Sequence, residues 1–372
     1  MIAYLAHKIE IKPNNVQETF LLKSCGTSRV GYNAALAIWN SEYKAGNKPT
    51  MYSVKKQLNS KKKVDFPWSY EVSKCCMEEA VIDLGKAFSK FFKEKNVGHP
   101  TFHKKGKKDS FRLNNLNFSI KKSKLKISKL AIPIKMTEDL RFKGKVLSCT
   151  ISKTAGKWFA SITQEVGTNL DTDYTQGSPS VGIDLGVTTL ATLSEGTVFK
   201  GLRPHKTLLF KLRQLNKSLS RKVKFSQNWK KIKLKLSKLH FRIANIRKDY
   251  LHKMTTHIVR TYKVITIEDL NTSGMLKNHK LARSISDSSF NMLKTILAYK
   301  AKLYGVDLVL ADRFFASSKT CSKCGIKKEK LALGTRTYEC NECGLVMDRD
   351  LNASINLDKF GLAKLAAVGS TV

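Results

Sequence analysis

The chain has 372 residues, enough for two or three domains, and its 42% hydrophobic content is enough to bury ordinary cores. Its charge is not ordinary: 68 Lys and Arg against 29 Asp and Glu give a formal net charge of +39, which calls for an anionic partner, either a membrane surface or nucleic acid. No apolar run is long enough to span a bilayer and the N-terminus lacks a secretory core, so nucleic acid is favoured, with many phosphates contacted at once, and no membrane partner is expected.

Residues 3–11 alternate apolar and polar and read as a strand. From about Asn15 to Lys95 the period is helical, with Leu84, Phe88, Phe91 and Phe92 on one face of the last helix, and Gly98-His99-Pro100 ends it. A basic loop with flanking aromatics follows, containing Lys104, Lys105, Lys107, Lys108 and Arg112. Between Leu113 and Glu165 the pattern is short strands, which with the opening strand fit one sheet carrying the helices as an insertion. Cys25, Cys75, Cys76 and Cys149 are scattered in apolar surroundings, which argues for a reducing cytosol; the vicinal Cys75-Cys76 pair sits in an amphipathic helix and reads as packing.

Residues 167–180 are polar, with Gly, Pro and Ser, and read as a linker. Residues 181–193 give two strands around a tight turn. From about Thr207 to Arg260 the chain is long helices: Leu208, Leu212, Leu215 and Leu219 share one face, Ile232, Leu236, Leu239, Ile243 and Ile246 another, and Asp249 is the only acid. Residues 263–267 are a strand ending in Glu268, a helix runs from about Ser289 to Tyr304, and a strand covers 306–311.

Cys321-x-x-Cys324 and Cys340-x-x-Cys343 are two knuckles at the spacing of tetrahedral Zn²⁺. Gly325 and Gly344 follow them where the chain needs positive φ to turn back, and Lys323, Lys327 and Lys328 are placed to favour thiolates. Four protein ligands make a closed, structural site, worth roughly 10–16 kcal/mol of local folding.

Phosphodiester hydrolysis with two metal ions needs a few carboxylates converging from separate elements, and Mg²⁺ prefers such hard oxygens. Asp184 lies mid-strand in Val181-Gly182-Ile183-Asp184-Leu185-Gly186, Glu268 ends an apolar strand, and Asp350 sits at a helix start. Singly, each has a plainer reading: Asp184 as a turn acid or the Asp-x-Gly strand of a sugar-kinase-like fold, Glu268 as a cap, Asp350 as a helix N-cap, a role for which Asp348 competes. The order strand-acid, strand-acid, cysteine module, acid-helix is the layout of an RNase H-like, RuvC-type nuclease.

Gly182-Ile183-Asp184-Leu185-Gly186-Val187, Ile267-Glu268-Asp269-Leu270, Ser317 to Gly325 and Asp348-Arg349-Asp350-Leu351-Asn352-Ala353-Ser354 together resemble the TnpB family of RNA-guided nucleases encoded by insertion sequences and related to type V CRISPR effectors. Residues 250–256 and 281–287, and in the first half 87–92 and 99–102, support the likeness, which covers nearly the whole chain. The resemblance implies an α/β multidomain protein: a wedge-type β-barrel in two parts (1–14 and 100–166) carrying a helical recognition insert (15–99), the linker 167–180, a RuvC-like nuclease (181–318, resuming at 347–372) and an inserted zinc ribbon (319–346). It implies a guide RNA, a double-stranded DNA target with a short adjacent motif, structural Zn²⁺, and two catalytic Mg²⁺ held by Asp184, Glu268 and Asp350, with Asp350 preferred over Asp348 because it directly precedes x-Asn-Ala. It further implies action on the nucleoid in the cytoplasm of a prokaryotic cell. By analogy, Lys104, Lys105, Lys107, Lys108 and Arg112 grip guide or target phosphates, Arg221, Lys222, Lys230 and Lys231 do so from the helical nuclease insert, and Tyr52 and Lys74 approach the adjacent motif. The segment after the last helix, 362–372, is shorter than is usual in the family. A guided repressor or transposition accessory without cleavage is the second function class, which the presence of all three acids argues against; an unguided resolvase or DDE-like transposase is the third.

Overall fold

The computed structural model describes residues 2–107, 109–167, 179–332 and 334–369. Lys108, residues 168–178 of the linker and residues 370–372 therefore lie outside the described residues. The chain forms two compact units, 1–168 and 169–372.

In the first unit, strand β1 (Ile2–Lys12) leads into three helices, α1 (Asn15–Lys44), α2 (Met51–Asp65) and α3 (Cys75–Lys93). Capping boxes start the first two: Asn14 and Gln17 exchange side chain and backbone bonds at 2.9 Å, and Thr50 and Ser53 do the same at 3.1 and 2.9 Å. Six strands follow: β2 (Ser110–Asn114), β3 (Phe118–Lys121), β4 (Lys124–Ile127), β5 (Ile134–Met136), β6 (Lys145–Thr154) and β7 (Lys157–Gly167). All seven join one antiparallel sheet in the order β2-β6-β7-β1-β5-β4-β3. Its two edge strands, β2 and β3, are consecutive in the chain and meet at a turn closed by Asn117 N to Asn114 O, 3.1 Å, so the sheet is a nearly closed barrel. The opening strand thus pairs with the later ones and the helices are the insertion, as the alternation implied. Ile9, Leu113, Ile127, Ile151 and Ile162 fill the barrel, with Cys25, Cys75 and Cys76 in the same cluster; burial pushes the Cys76 thiol up to about 12, an inert packing group.

The helices have their own core of Leu36, Trp39, Leu58, Leu84 and Phe88, with Trp39 and Phe88 stacked at 4.2 Å. The face assigned to α3 is narrower than expected: Phe91 is half-buried and Phe92 exposed. Eight residues of a 3.6-residue helix carry Phe92 about 80° past Leu84, off the buried stripe.

The second unit opens with strands β8 (Ser180–Leu185), β9 (Thr189–Leu193) and β10 (Val198–Lys200) and helices α4 (Pro204–Thr207), α5 (Leu209–Ser220) and α6 (Gln227–Thr261). Next come β11 (Val264–Glu268), α7 (Thr272–Met275), α8 (Ala282–Ser288), α9 (Phe290–Tyr304), β12 (Asp307–Ala311), the ribbon strands β13 (Thr337–Glu339) and β14 (Val346–Asp348), and α10 (Arg349–Gly369). The order β10-β9-β8-β11-β12 makes a mixed sheet, with β8, β11 and β12 parallel. Leu212, Leu239 and Ile243 zip α5 to α6 along the faces read from the sequence. The short helices were not visible as periodic runs; Asp287 ties them in by accepting the His205 and Lys206 N–H groups of α4, both at 3.1 Å, and the Arg247 guanidinium of α6.

Side chains alternate across a strand. Val181 and Ile183 of β8 and Ile265 and Ile267 of β11 therefore face the core shared with Leu251 and Ile258 of α6 and Leu293 and Leu297 of α9. Gly182 and Thr266 face the other way, and α10 lies on them. A Cβ at Gly182 would fall on the Ser354 carbonyl oxygen and the Asp358 N, and one at Gly361 would fall on the Thr266 hydroxyl. The missing side chains let helix and sheet approach backbone to backbone. Among the described residues, no helix is long and apolar enough to cross a membrane.

Candidate active site

The same alternation puts Asp184, two residues beyond Gly182, and Glu268, two beyond Thr266, on the α10 face at the C-terminal ends of adjacent parallel strands, where Ile183 registers with Ile267. Asp350 lies one turn before Ser354, the residue seated on Gly182. Two strand residues carry Asp184 about 6.6 Å past the seat, and four helix residues carry Asp350 about 6 Å. Strands and helix thus deliver the three acids to one end of one seam.

Their electrostatics reflect that convergence. The Asp184 carboxyl is pushed well above the usual carboxylate range, first by burial, then by the negative charges of Glu268 and Asp350. Burial also pushes Glu268 up; the Ser317 hydroxyl, donating to Oε1 at 2.5 Å, pulls it back, and Asp350 pushes it further. Asp350 Oδ1 accepts from Arg349 Nη2 at 3.0 Å, and Arg336 Nη1 of the cysteine module is 3.9 Å from Oδ2. The competition for the helix cap is settled by geometry: Asp348 Oδ1 accepts from Asp350 N at 2.8 Å and Leu351 N at 3.0 Å, so Asp348 caps α10 and the Asp350 side chain is left for the site. The charge of Asp350 thus adds to the upward push on both Asp184 and Glu268, and clustered hard oxygens of this kind are the ligand type that Mg²⁺ prefers.

The four cysteines converge as their spacing requires: their sulfurs all lie within 4.8 Å of one another, and the Cys321–Cys343 and Cys324–Cys340 pairs are both 3.6 Å apart. A tetrahedron with Zn–S bonds of 2.3 Å has edges of about 3.8 Å, so the cluster fits Zn²⁺. Both knuckles make the same turn, with Gly325 N to Cys321 O and Gly344 N to Cys340 O at 3.0 Å, and both glycines have positive φ, 78° and 69°. The N–H groups of Cys343 and Glu342 draw the Cys340 thiol down to about 6. Backbone donors, rather than the lysines singled out in the sequence, favour the thiolate here; Lys328 instead lies over the Tyr338 ring at 5.2 Å. Cys324 goes up to about 12: the Ile326 N–H lowers it, but burial and the proton-sharing sulfurs around it outweigh that pull. Four such thiols do not all shed their protons without a cation.

The module is tied to α10 by side chains that sequence reasoning missed. Asn352 Oδ1 accepts from Ser322 N at 2.9 Å, and its Nδ2 donates to Thr320 O at 2.7 Å. Asn356 Nδ2 donates to Ser317 O at 2.8 Å and Thr320 O at 2.6 Å. The available signal was two asparagines four apart on a helix, hence on one face, among residues otherwise fit for a core.

The basic candidates divide. Lys104, Lys105 and Lys107, Lys74, and Arg221, Lys222, Lys230 and Lys231 are exposed, and Tyr52 is 77% exposed on α2. Arg112 is different: in β2 its guanidinium is held by Glu79 at 2.8 Å and Asp83 at 2.5 Å, both on α3, so its charge is already answered within the unit.

Comparison with known proteins adds the following. Residues 161–279 match a family model described as "Probable transposase", and residues 290–357 one described as "Cas12f1-like, TNB domain". Residues 1–48 match one described as "Helix-turn-helix domain", although the described part of that stretch forms one strand and one 30-residue helix. The chain is 34% identical over 366 residues to a Streptomyces pristinaespiralis protein named "Putative RNA-guided DNA endonuclease", covering 97% of this chain and 90% of that one. It is 33% identical over 379 residues to the Escherichia coli K12 protein named "Putative RNA-guided DNA endonuclease InsQ", covering 97% and 93%. "TnpB-like protein L79" of Acanthamoeba polyphaga mimivirus is 34% identical over 143 residues, 37% of this chain and 27% of that one.

Proposed function

The chain belongs to the TnpB family, and from that premise we propose that it is an RNA-guided DNA endonuclease whose RuvC-type, RNase H-like centre is built from Asp184, Glu268 and Asp350. The first unit is then the wedge-type barrel with its helical recognition insert, and the four cysteines are the zinc ribbon of the nuclease. The observation that carries the reading is the delivery of Asp184, Glu268 and Asp350 to one end of one seam by two adjacent parallel strands and the helix packed on them, with the Asp184 carboxyl pushed up first by desolvation and then by the other two charges.

Asp184, Glu268 and Asp350 would hold Mg²⁺, which would polarise a phosphoryl oxygen and lower the pKa of an attacking water. The protein's own part is positioning. Parallel strands fix Asp184 and Glu268 side by side, the Gly182 seam fixes Asp350 against them, Asp348 holds the first turn of α10, and Ser317 orients Glu268. Sequence recognition falls to pairing between a guide RNA and the target strand, with the exposed lysines of 104–107, Arg221, Lys222, Lys230 and Lys231 on backbone phosphates and Tyr52 and Lys74 at the adjacent duplex.

The test is cleavage by protein purified with its co-expressed RNA. With Mg²⁺ it cuts duplex DNA matching that RNA, and Asp184→Ala and Glu268→Ala bind the duplex without cutting. Undiminished cutting by either variant removes the acids from the chemistry.

A further inference from the structure

Ser317 donates to Glu268 Oε1 and is itself 2% exposed. It begins a single hydrogen-bonded turn: Thr320 N and Oγ1 both donate to Ala316 O, at 3.1 and 2.9 Å, and the next residue is the ribbon ligand Cys321. One amide of α10 spans this turn, because Asn356 Nδ2 donates to both Ser317 O and Thr320 O. Asn352, one helical turn nearer Asp350, holds Thr320 O and Ser322 N, and Lys359 Nζ reaches Ser322 O at 2.5 Å. Asn352 and Asn356 are 0% and 6% exposed, so these polar groups have no water to fall back on.

We propose that Ser317 is a positioning residue for Glu268, and that the Asn352–Asn356 clamp makes it the link through which the four-cysteine ribbon sets the divalent-cation affinity of the acid centre. The proposal rests on the reading of Asp184, Glu268 and Asp350 as the metal-holding acids. A carboxylate with two free oxygens rotates among several orientations. The Ser317 hydroxyl occupies Oε1 and fixes the plane, which leaves Oε2 directed for a metal. The hydroxyl can hold that plane only while its own backbone is fixed: Ser317 N donates to Phe315 O at 2.9 Å, and Ser317 O accepts from Asn356 Nδ2 of α10, the same amide that holds Thr320 O beside the first knuckle. The ribbon thereby reaches Glu268 without any of its cysteines touching it.

The experiment uses the full chain with its co-purified RNA and Mn²⁺ as probe, with affinity read by calorimetry and the bound-ion signal by electron paramagnetic resonance. A hydrogen bond to a charged group is worth enough that Ser317→Ala and the near-isosteric Ser317→Cys weaken Mn²⁺ binding by roughly tenfold, while the variants stay folded and RNA affinity stays native. Ser317→Thr, which keeps the hydroxyl, restores affinity. Asn356→Ala reproduces the weakening from α10, and combining it with Ser317→Ala adds little, because both act through one link. Native Mn²⁺ affinity in folded Ser317→Ala or Ser317→Cys overturns the positioning role, and native affinity in Asn356→Ala overturns the link to the ribbon. If Asp184→Ala leaves the Mn²⁺ site intact, the assignment of the acids falls instead, whatever Ser317 does.

Discussion

Gly182→Ala tests the seam that brings Asp350 to Asp184. The added Cβ would lie on the Ser354 carbonyl oxygen and the Asp358 N and only 3.1 Å from the Asp358 Cα, all backbone, so no side chain can swing away to make room. Ordinary contact begins near 3.4 Å, and α10 must retreat by roughly 1.5 Å to reach it. Overpacking of this kind costs about 1–3 kcal/mol. The catalytic penalty is larger, since misplacing a reacting group by about 1 Å costs on the order of 100-fold in rate. Denaturant unfolding and single-turnover cleavage of a guide-matched duplex, run on the same preparation, read both effects. The expected variant is modestly destabilised, binds RNA normally and cuts about 100-fold more slowly. Cutting at the native rate would show that the close approach of α10 to β8 does not set the position of Asp350.

Four further outcomes follow from particular residues. Cys340→Ser, or chelation of the ribbon metal, lowers both melting temperature and cleavage, because the clamp joins the knuckle to α10; full cleavage by metal-free protein separates the two features. In protein free of divalent ions, Asp184 carries a folded-state pKa raised by burial and by Glu268 and Asp350, so its contribution to stability is complete below the ordinary carboxylate pKa and is lost as pH rises through the raised one. Asp184→Asn abolishes that loss and melts above the native chain at neutral pH, a gap that closes on acidification; a gap that widens on acidification contradicts the sign. Replacing Lys104, Lys105 and Lys107 by Ala flattens the salt dependence of nucleic-acid affinity by about one unit of slope for each phosphate no longer neutralised. Arg112→Ala lowers stability and leaves that slope unchanged, and a flattened slope for Arg112→Ala means the guanidinium leaves Glu79 and Asp83 for phosphate.

What the sequence revealed was what local pattern encodes. An apolar run with an acid inside it marked β8, one ending in an acid marked β11, paired cysteines marked the ribbon, and the two apolar faces marked the α5–α6 hairpin. Pairing of the first strand with strands more than 120 residues later was legible as well, because alternation implied a shared sheet. Features that depend on distant partners were not. Arg112 looked like one more cation of a basic loop until the fold set it against α3. Which of Asp348 and Asp350 caps the helix stayed open, although the resemblance favoured Asp350 as the site acid, until the helix began at Arg349. Ser317 stood in the stretch that carried the resemblance but had no role read for it, since its importance comes from Glu268 on one strand and Asn356 on a later helix.

The central claim is that a bound RNA directs the cut and that the three acids perform it. The most direct measurement is to sequence the RNA that co-purifies with the chain and present two duplexes of equal length, one matching its variable end and one scrambled, with Mg²⁺. The account predicts cutting of the matching duplex alone, lost in Asp350→Ala with binding retained. Equal cutting of both duplexes, or cutting that survives removal of the RNA, contradicts it.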